Sequence, residues 1–164
     1  LLSSFATGTT PMPLNKDLRE FVELLNSHQV EYLIVGAFAV AFHGFPRYTG
    51  DIDIFVRPTG ENARRVLDTL AQFGFHGLGI REQDLASPGK VVQLGLPPNR
   101  IDILTAVSGL TFEEAWDSRE QATLSGVPVN YIGRAALIHN KESTGRAKDL
   151  GDAEELRRRK ANER

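Results

Sequence analysis

An α/β (α+β) fold, a mixed sheet of modest size with helices outside it, is predicted by three features of this sequence. Short apolar strands are interleaved with segments of helical periodicity. The first strand runs directly into a glycine and a small-residue helix. Two later strands carry aspartates on an otherwise apolar background.

The elements follow in chain order. Asn15 to His28 reads as an amphipathic helix with Leu18, Phe21, Val22, Leu24 and Leu25 as its apolar stripe. Val30 to Val35 reads as a buried strand, Glu31 apart, and Gly36 to Phe42 as a helix opening off it. A loop of turn residues, His43 to Gly50, leads to the strand Asp51 to Val56. Gly60 to Phe73 is a second amphipathic helix, which Gly74 ends as glycine after a helix commonly does. Val91 to Leu96 and Arg100 to Leu104 flank the turn Pro97-Pro98-Asn99 and are expected to pair antiparallel. Thr111 caps a short helix with Glu114 in capping-box position. Gln121 to Leu124 and Val127 to Ile132 form a hairpin around Ser125-Gly126. From Arg134 to Lys160 the chain is helical, with a break near Ser143-Thr144-Gly145. One domain is expected over 15–160, preceded by a loose lead-in over 1–14.

The strand Asp51-Ile52-Asp53-Ile54-Phe55-Val56 carries the chemistry. Side chains alternate across a strand, so Asp51 and Asp53 share one face while Ile52, Ile54 and Val56 enter the core. Carboxylates roughly 6.6 Å apart along a strand can converge on metal ions spaced about 3.5–4 Å. The apolar run follows the pair, so the acids stand where the chain enters the sheet. An aspartyl-phosphatase loop, or the Asp-x-Asp of a glycosyltransferase, would follow an apolar strand instead. Asp102 sits between Ile101 and Ile103 and repeats the setting of Asp53. Three aspartates on one sheet face supply oxygen ligands for hard cations such as Mg²⁺ or Mn²⁺. Gly36, at a strand-to-helix turn, allows close approach to the backbone. The plainer alternatives are a tight turn at Gly36, and an Asp102 that merely pairs with Arg100 or Arg47.

These residues resemble the nucleotidyltransferase superfamily that includes DNA polymerase beta and the aminoglycoside nucleotidyltransferases. The matching positions are Val35-Gly36-Ala37, Asp51-Ile52-Asp53-Ile54 and Asp102, with Ala37 in place of the usual Gly or Ser. Within it the chain is most similar to small proteins related to AbiE-type toxin nucleotidyltransferases. They share the lead-in Gly44, Arg47, Thr49 and a C-terminal segment like Leu137-Ile138-His139-Asn140-Lys141 followed by Arg146, Lys148, Asp149 and Asp152. The resemblance implies catalysis and metal binding at Asp51, Asp53 and Asp102. It implies nucleotide binding at Gly36, Ala37, Arg47, Thr49, Lys141 and Lys148. It implies transfer of a nucleoside monophosphate from an NTP to a hydroxyl of tRNA, protein or a small molecule, and a possible partner protein or homo-oligomer.

Two further readings stay open: a nucleotide-binding, antitoxin-like module on the same fold, and a phosphohydrolase using the same carboxylates. Lys141, Arg146 and Lys148 could neutralise a triphosphate, or form an ordinary solvated face paired with Asp149 and Asp152. His43 and His139 lack partners at metal-ligand spacing and read as structural. Arg157 to Lys160 reads as a frayed, solvated helix end.

Composition sets the bounds. The 164 residues are 41% hydrophobic and 24% charged, ordinary for a globular domain. A net charge of −2 gives no bulk attraction to nucleic acid. The absence of cysteine removes disulfides and zinc–thiolate sites and fits a reducing, cytoplasmic setting. No apolar run approaches the roughly 20 residues that span a bilayer.

Overall fold

The aspartate strand sits inside the sheet, with its isoleucines fully buried and its two acids half-buried. A computed structural model describes residues 14–162. It contains α1 (Lys16–Ser27), β1 (Tyr32–Val35), α2 (Gly36–Phe42), β2 (Asp51–Val56), α3 (Gly60–Phe73), α4 (Glu82–Ala86) and β3 (Val91–Leu94). These are followed by β4 (Arg100–Leu104), α5 (Phe112–Asp117), β5 (Glu120–Leu124), β6 (Val127–Tyr131), α6 (Arg134–Thr144) and α7 (Ala147–Asn162). The strands form one 6-stranded mixed sheet in the order β3-β4-β2-β1-β6-β5. β2 is antiparallel to β1 and parallel to β4, while β1 and β6 run parallel. The hairpins β3–β4 and β5–β6 are antiparallel, as expected.

Helix ends are set by local chemistry. Asn15 caps α1 by accepting the Leu18 N–H at 2.9 Å, and Thr59 caps α3 by accepting from Asn62. Gly74 ends α3 in the left-handed region at φ 112°, where a side chain would be strained. Thr111 and Glu114 form the expected capping box at α5. The apolar stripes of α1 and α3 meet through Phe21 and Phe73, whose rings sit edge-to-face at 5.3 Å. On β2, Ile52 and Ile54 are fully buried on one face. Phe55, on the aspartates' face, is covered by the edge of Phe112 from α5.

Some expectations need correction. The strand expected over Val91 to Leu96 stops at Leu94, because Gly95 turns away at φ 78° and leaves Leu96 in solvent. Helix α4 was not expected. It is one short turn, held by Asp84 accepting the Arg81 N–H at 2.8 Å and anchored by the buried Leu85. The Arg-rich end of α7 is not frayed at Arg159: its guanidinium donates to the Gly44 carbonyl at 2.7 Å and stacks over Phe45. Arg157 and Arg158 pair with Glu142 and Glu155. The lead-in expected over 1–14 lies outside the described residues except for Leu14, which is buried and donates its N–H to Ser125. Among the described residues, no helix is long and apolar enough to cross a membrane.

Removing the Phe21 ring would leave a cavity at the α1–α3 contact. Phe21→Ala is expected to lower the unfolding free energy by about 3–5 kcal/mol, read as a lower urea midpoint with an unchanged slope.

Candidate active site

The register of β2 and β4 brings the aspartates together. Asp53 and Asp102 are direct neighbours on the two parallel strands, and Asp51 lies opposite Arg100. Because the strands run parallel and in register, alternation puts all of these side chains on one face. One carboxylate oxygen from each of Asp51, Asp53 and Asp102 lies within 4.8 Å of the others. Asp102 is buried, and Asp51 and Asp53 are half-buried.

Each acid has a different partner. Thr49 donates its hydroxyl to Asp51 Oδ1 at 2.7 Å, fixing that carboxylate's orientation. The Arg100 guanidinium forks onto Asp102 through Nε and Nη2, both at 3.0 Å, and Nη2 also reaches Asp51 Oδ2 at 3.0 Å. Asp53 receives no such fork. Burial, then the charges of Asp51 and Asp102 and a hydrogen bond with Asp102, raise its pKa to about 7, against the opposing pull of Lys141.

Gly36 is explained by Asp53. At φ 68° it lies in the left-handed region, and an added Cβ would fall 2.0 Å from Asp53 Oδ2. The bare Cα thus makes room for the Asp53 carboxylate itself.

Beside Gly36 and Asp53 opens a cavity of about 560 Å³, bounded by Val91, Leu104 and Val107 on one side and Asn140, Lys141, Thr144 and Arg146 on the other. Lys141 is buried and is held by Asp149 and Asp152, each at 3.2 Å. Arg146 and Thr144 complete the shell of Asp149, both at 2.8 Å. Burial opposes ionisation of Asp149 and Asp152. Hydrogen bonds from Thr144, Arg146 and Lys141, and from Arg47 and Lys141, outweigh it and hold both below the usual carboxylate range.

The candidate residues therefore divide. Gly36 and Lys141 line the cavity with Asp53, whereas Ala37, next in the chain, does not. Arg47 is turned to Asp152, which it grips with two hydrogen bonds of 2.7 and 2.6 Å. Thr49 serves Asp51, and Lys148 is exposed and away from the cavity. Arg47 and Thr49 instead border a second cavity of about 490 Å³, walled by Leu18, Phe38, Pro46, Tyr48 and Pro98. His43 and His139 place a ring nitrogen on the Ile132 and Gly109 carbonyls, at 2.8 and 3.0 Å. Of the two partners considered for Asp102, Arg100 makes the pair and Arg47 does not; the contact of Arg100 to Asp51 is the one the sequence reading lacks. The signal for the pair is local: a residue two positions before Asp102 on a strand shares its face.

The donor set suits a hard divalent cation. It offers carboxylate oxygens alone, one from each acid within 4.8 Å of the others.

The mixed sheet, its flanking helices and the strand-borne acids make this a nucleotidyltransferase-type fold. Among solved structures, it is similar to TM1012 of Thermotoga maritima, provisionally assigned as a nucleotidyltransferase: 18% identity, 90% of this chain and 91% of that one covered, TM-score 0.55. It is also similar to the lincosamide antibiotic adenylyltransferase LnuA in its lincomycin-bound form: 15% identity, 88% and 97% covered, TM-score 0.53. At these identities the likeness is one of fold. No family model and no curated protein matches the chain.

The raised pKa of Asp53 has a signed consequence for stability without metal. Between its unfolded value near 3.8 and its folded value near 7, the native state binds more protons, so this group's contribution falls as pH rises through that window. In EDTA, wild-type stability is expected to drop from pH 4 toward pH 7 relative to Asp53→Asn. Urea unfolding free energies that change equally with pH in the two proteins would refute this.

Proposed function

We propose that this protein is a metal-dependent nucleotidyltransferase that moves a nucleoside monophosphate from an NTP to an acceptor hydroxyl and releases pyrophosphate. The observation that carries the reading is the aspartate trio, with one oxygen from each within 4.8 Å of the others, whose Asp53 lines a cavity together with a buried lysine. Asp51, Asp53 and Asp102 would hold Mg²⁺ or Mn²⁺. When bound, such ions neutralise triphosphate charge and lower the pKa of the attacking hydroxyl.

The chain's own residues divide the remaining work. Asp102 accepts the acceptor's proton as the hydroxyl oxygen bonds to the α-phosphorus and the bond to the pyrophosphate oxygen breaks. Lys141, fixed by Asp149 and Asp152, presents a positive charge to the phosphates without needing to be ordered on binding. Gly36 lets Asp53 lie against the backbone beside that cavity. Arg47 acts at a distance, tying the loop before β2 to α7 through Asp152. Thr49 sets the orientation of Asp51.

The acceptor this geometry favours is a small molecule or a protein side chain. The second cavity adjoins Asp51 through Thr49 and is mostly apolar, and the net charge of −2 offers no bulk attraction to a polynucleotide. The toxin-type lead-in at Gly44, Arg47 and Thr49 makes tRNA the competing acceptor.

The test incubates the protein with each α-labelled NTP, Mg²⁺ or Mn²⁺, and a cell extract. Label is expected on one acceptor, with pyrophosphate released, and at least about 100-fold less in Asp102→Asn. Nucleotide binding without transfer or pyrophosphate release would instead support a binding module. Release of inorganic phosphate would support a phosphohydrolase.

A further inference from the structure

The Arg100 side chain bridges two acids of the trio. Its Nη2 lies 3.0 Å from an oxygen of Asp51 and 3.0 Å from an oxygen of Asp102, so one nitrogen spans two of the three acids. Nε takes the second oxygen of Asp102 at 3.0 Å. With Thr49 on Asp51 Oδ1, every carboxylate oxygen of Asp51 and Asp102 already accepts a hydrogen bond.

We propose that Arg100 is a built-in counter-cation of the trio, which a divalent ion must displace in order to bind. The inference rests on the metal-dependent reading of the trio and adds a regulatory element to it. Three physical points support displacement over coexistence. Cation–oxygen distances of roughly 2.0–2.6 Å are shorter than the 3.0 Å contacts of Nη2, so an ion held by Asp51 and Asp102 competes with the guanidinium for oxygens it already occupies. A guanidinium and a divalent ion at that spacing repel each other, with little intervening water to screen them. Arg100 also has somewhere to go. Its side chain is 33% exposed, and all of its side-chain hydrogen bonds among the described residues go to the trio.

Lys141 differs in this respect. It has its own acids, Asp149 and Asp152, to hold it back from the trio. Arg100 has none. Its fork keeps Asp51 and Asp102 from driving apart when no ion is present, and it raises the metal concentration at which the site fills. The guanidinium is suited to this because its planar donors hold Asp102 with two bonds, which an ammonium cannot reproduce.

The test is Mn²⁺ binding, followed by the loss of the free-ion electron paramagnetic resonance signal, in wild type, Arg100→Gln, Arg100→Lys and Asp53→Asn without nucleotide. Arg100→Gln is expected to bind Mn²⁺ at least about tenfold more tightly than wild type, within the ordinary range of linkage between ligands. Arg100→Lys should fall between them, and Asp53→Asn should bind more weakly than wild type. A purely structural role would lower the melting temperature in EDTA without tightening Mn²⁺ binding. If Arg100→Gln binds equally or more weakly while Asp53→Asn still impairs binding, the proposal for Arg100 is overturned and the metal reading stands. If no protein binds Mn²⁺, or Asp53→Asn does not weaken it, the metal reading fails and this inference with it. Should Arg100→Gln not fold, Arg100→Lys decides: tighter binding than wild type supports displacement, and equal or weaker binding overturns it.

Discussion

Mutual repulsion among three carboxylates is the constraint around which this structure is arranged. One oxygen from each of Asp51, Asp53 and Asp102 lies within 4.8 Å of the others. At such distances, with part of the water excluded, like charges oppose folding unless something offsets them. The chain supplies two offsets. Arg100 forks across Asp51 and Asp102. Asp53, left outside that fork, takes a proton more readily, with a pKa raised by burial and by its two neighbours. A cluster compensated in both ways at rest has the oxygen donors to take a divalent cation.

The rest of the fold follows from holding that cluster in place. A parallel pairing of β2 with β4 sets Asp53 directly beside Asp102, whereas a one-residue slip would turn the acids of one strand to the other face. The fully buried Ile52 and Ile54 make such a slip costly, because it would bring them out of the core. Gly36 gives up a side chain so that Asp53 can lie against the start of α2. Beyond the sheet, Lys141 of α6 and Asp149 and Asp152 of α7, joined by Arg47 from the loop before β2, form a second charged layer. Removing one member of such a buried network is typically far more damaging than the network's net contribution to stability.

Most elements were legible because their signals are local. Thr111 with Glu114, and Gly74, mark helix ends through capping chemistry that needs no tertiary context. The alternation in Asp51 to Val56 and Arg100 to Leu104 gave both strands and the face their acids share. What escaped was set by contacts distant in sequence. Arg47 lies 105 positions from Asp152, and nothing in its neighbourhood marks it as a partner for α7 rather than for phosphate. Helix α4 is one turn with too few residues to show a period. Arg100 was legible in part: its strand position placed it beside Asp102, but its reach to Asp51 depends on the β2–β4 register, which the sequence does not state.

The central claim, that the three aspartates converge on divalent cations, is tested most directly by anomalous diffraction from crystals grown or soaked with Mn²⁺. The account predicts an anomalous peak roughly 2.0–2.6 Å from oxygens of Asp51, Asp53 and Asp102 together. Manganese bound only elsewhere, or an Asp102 turned away from an ion held by the other two, would contradict it.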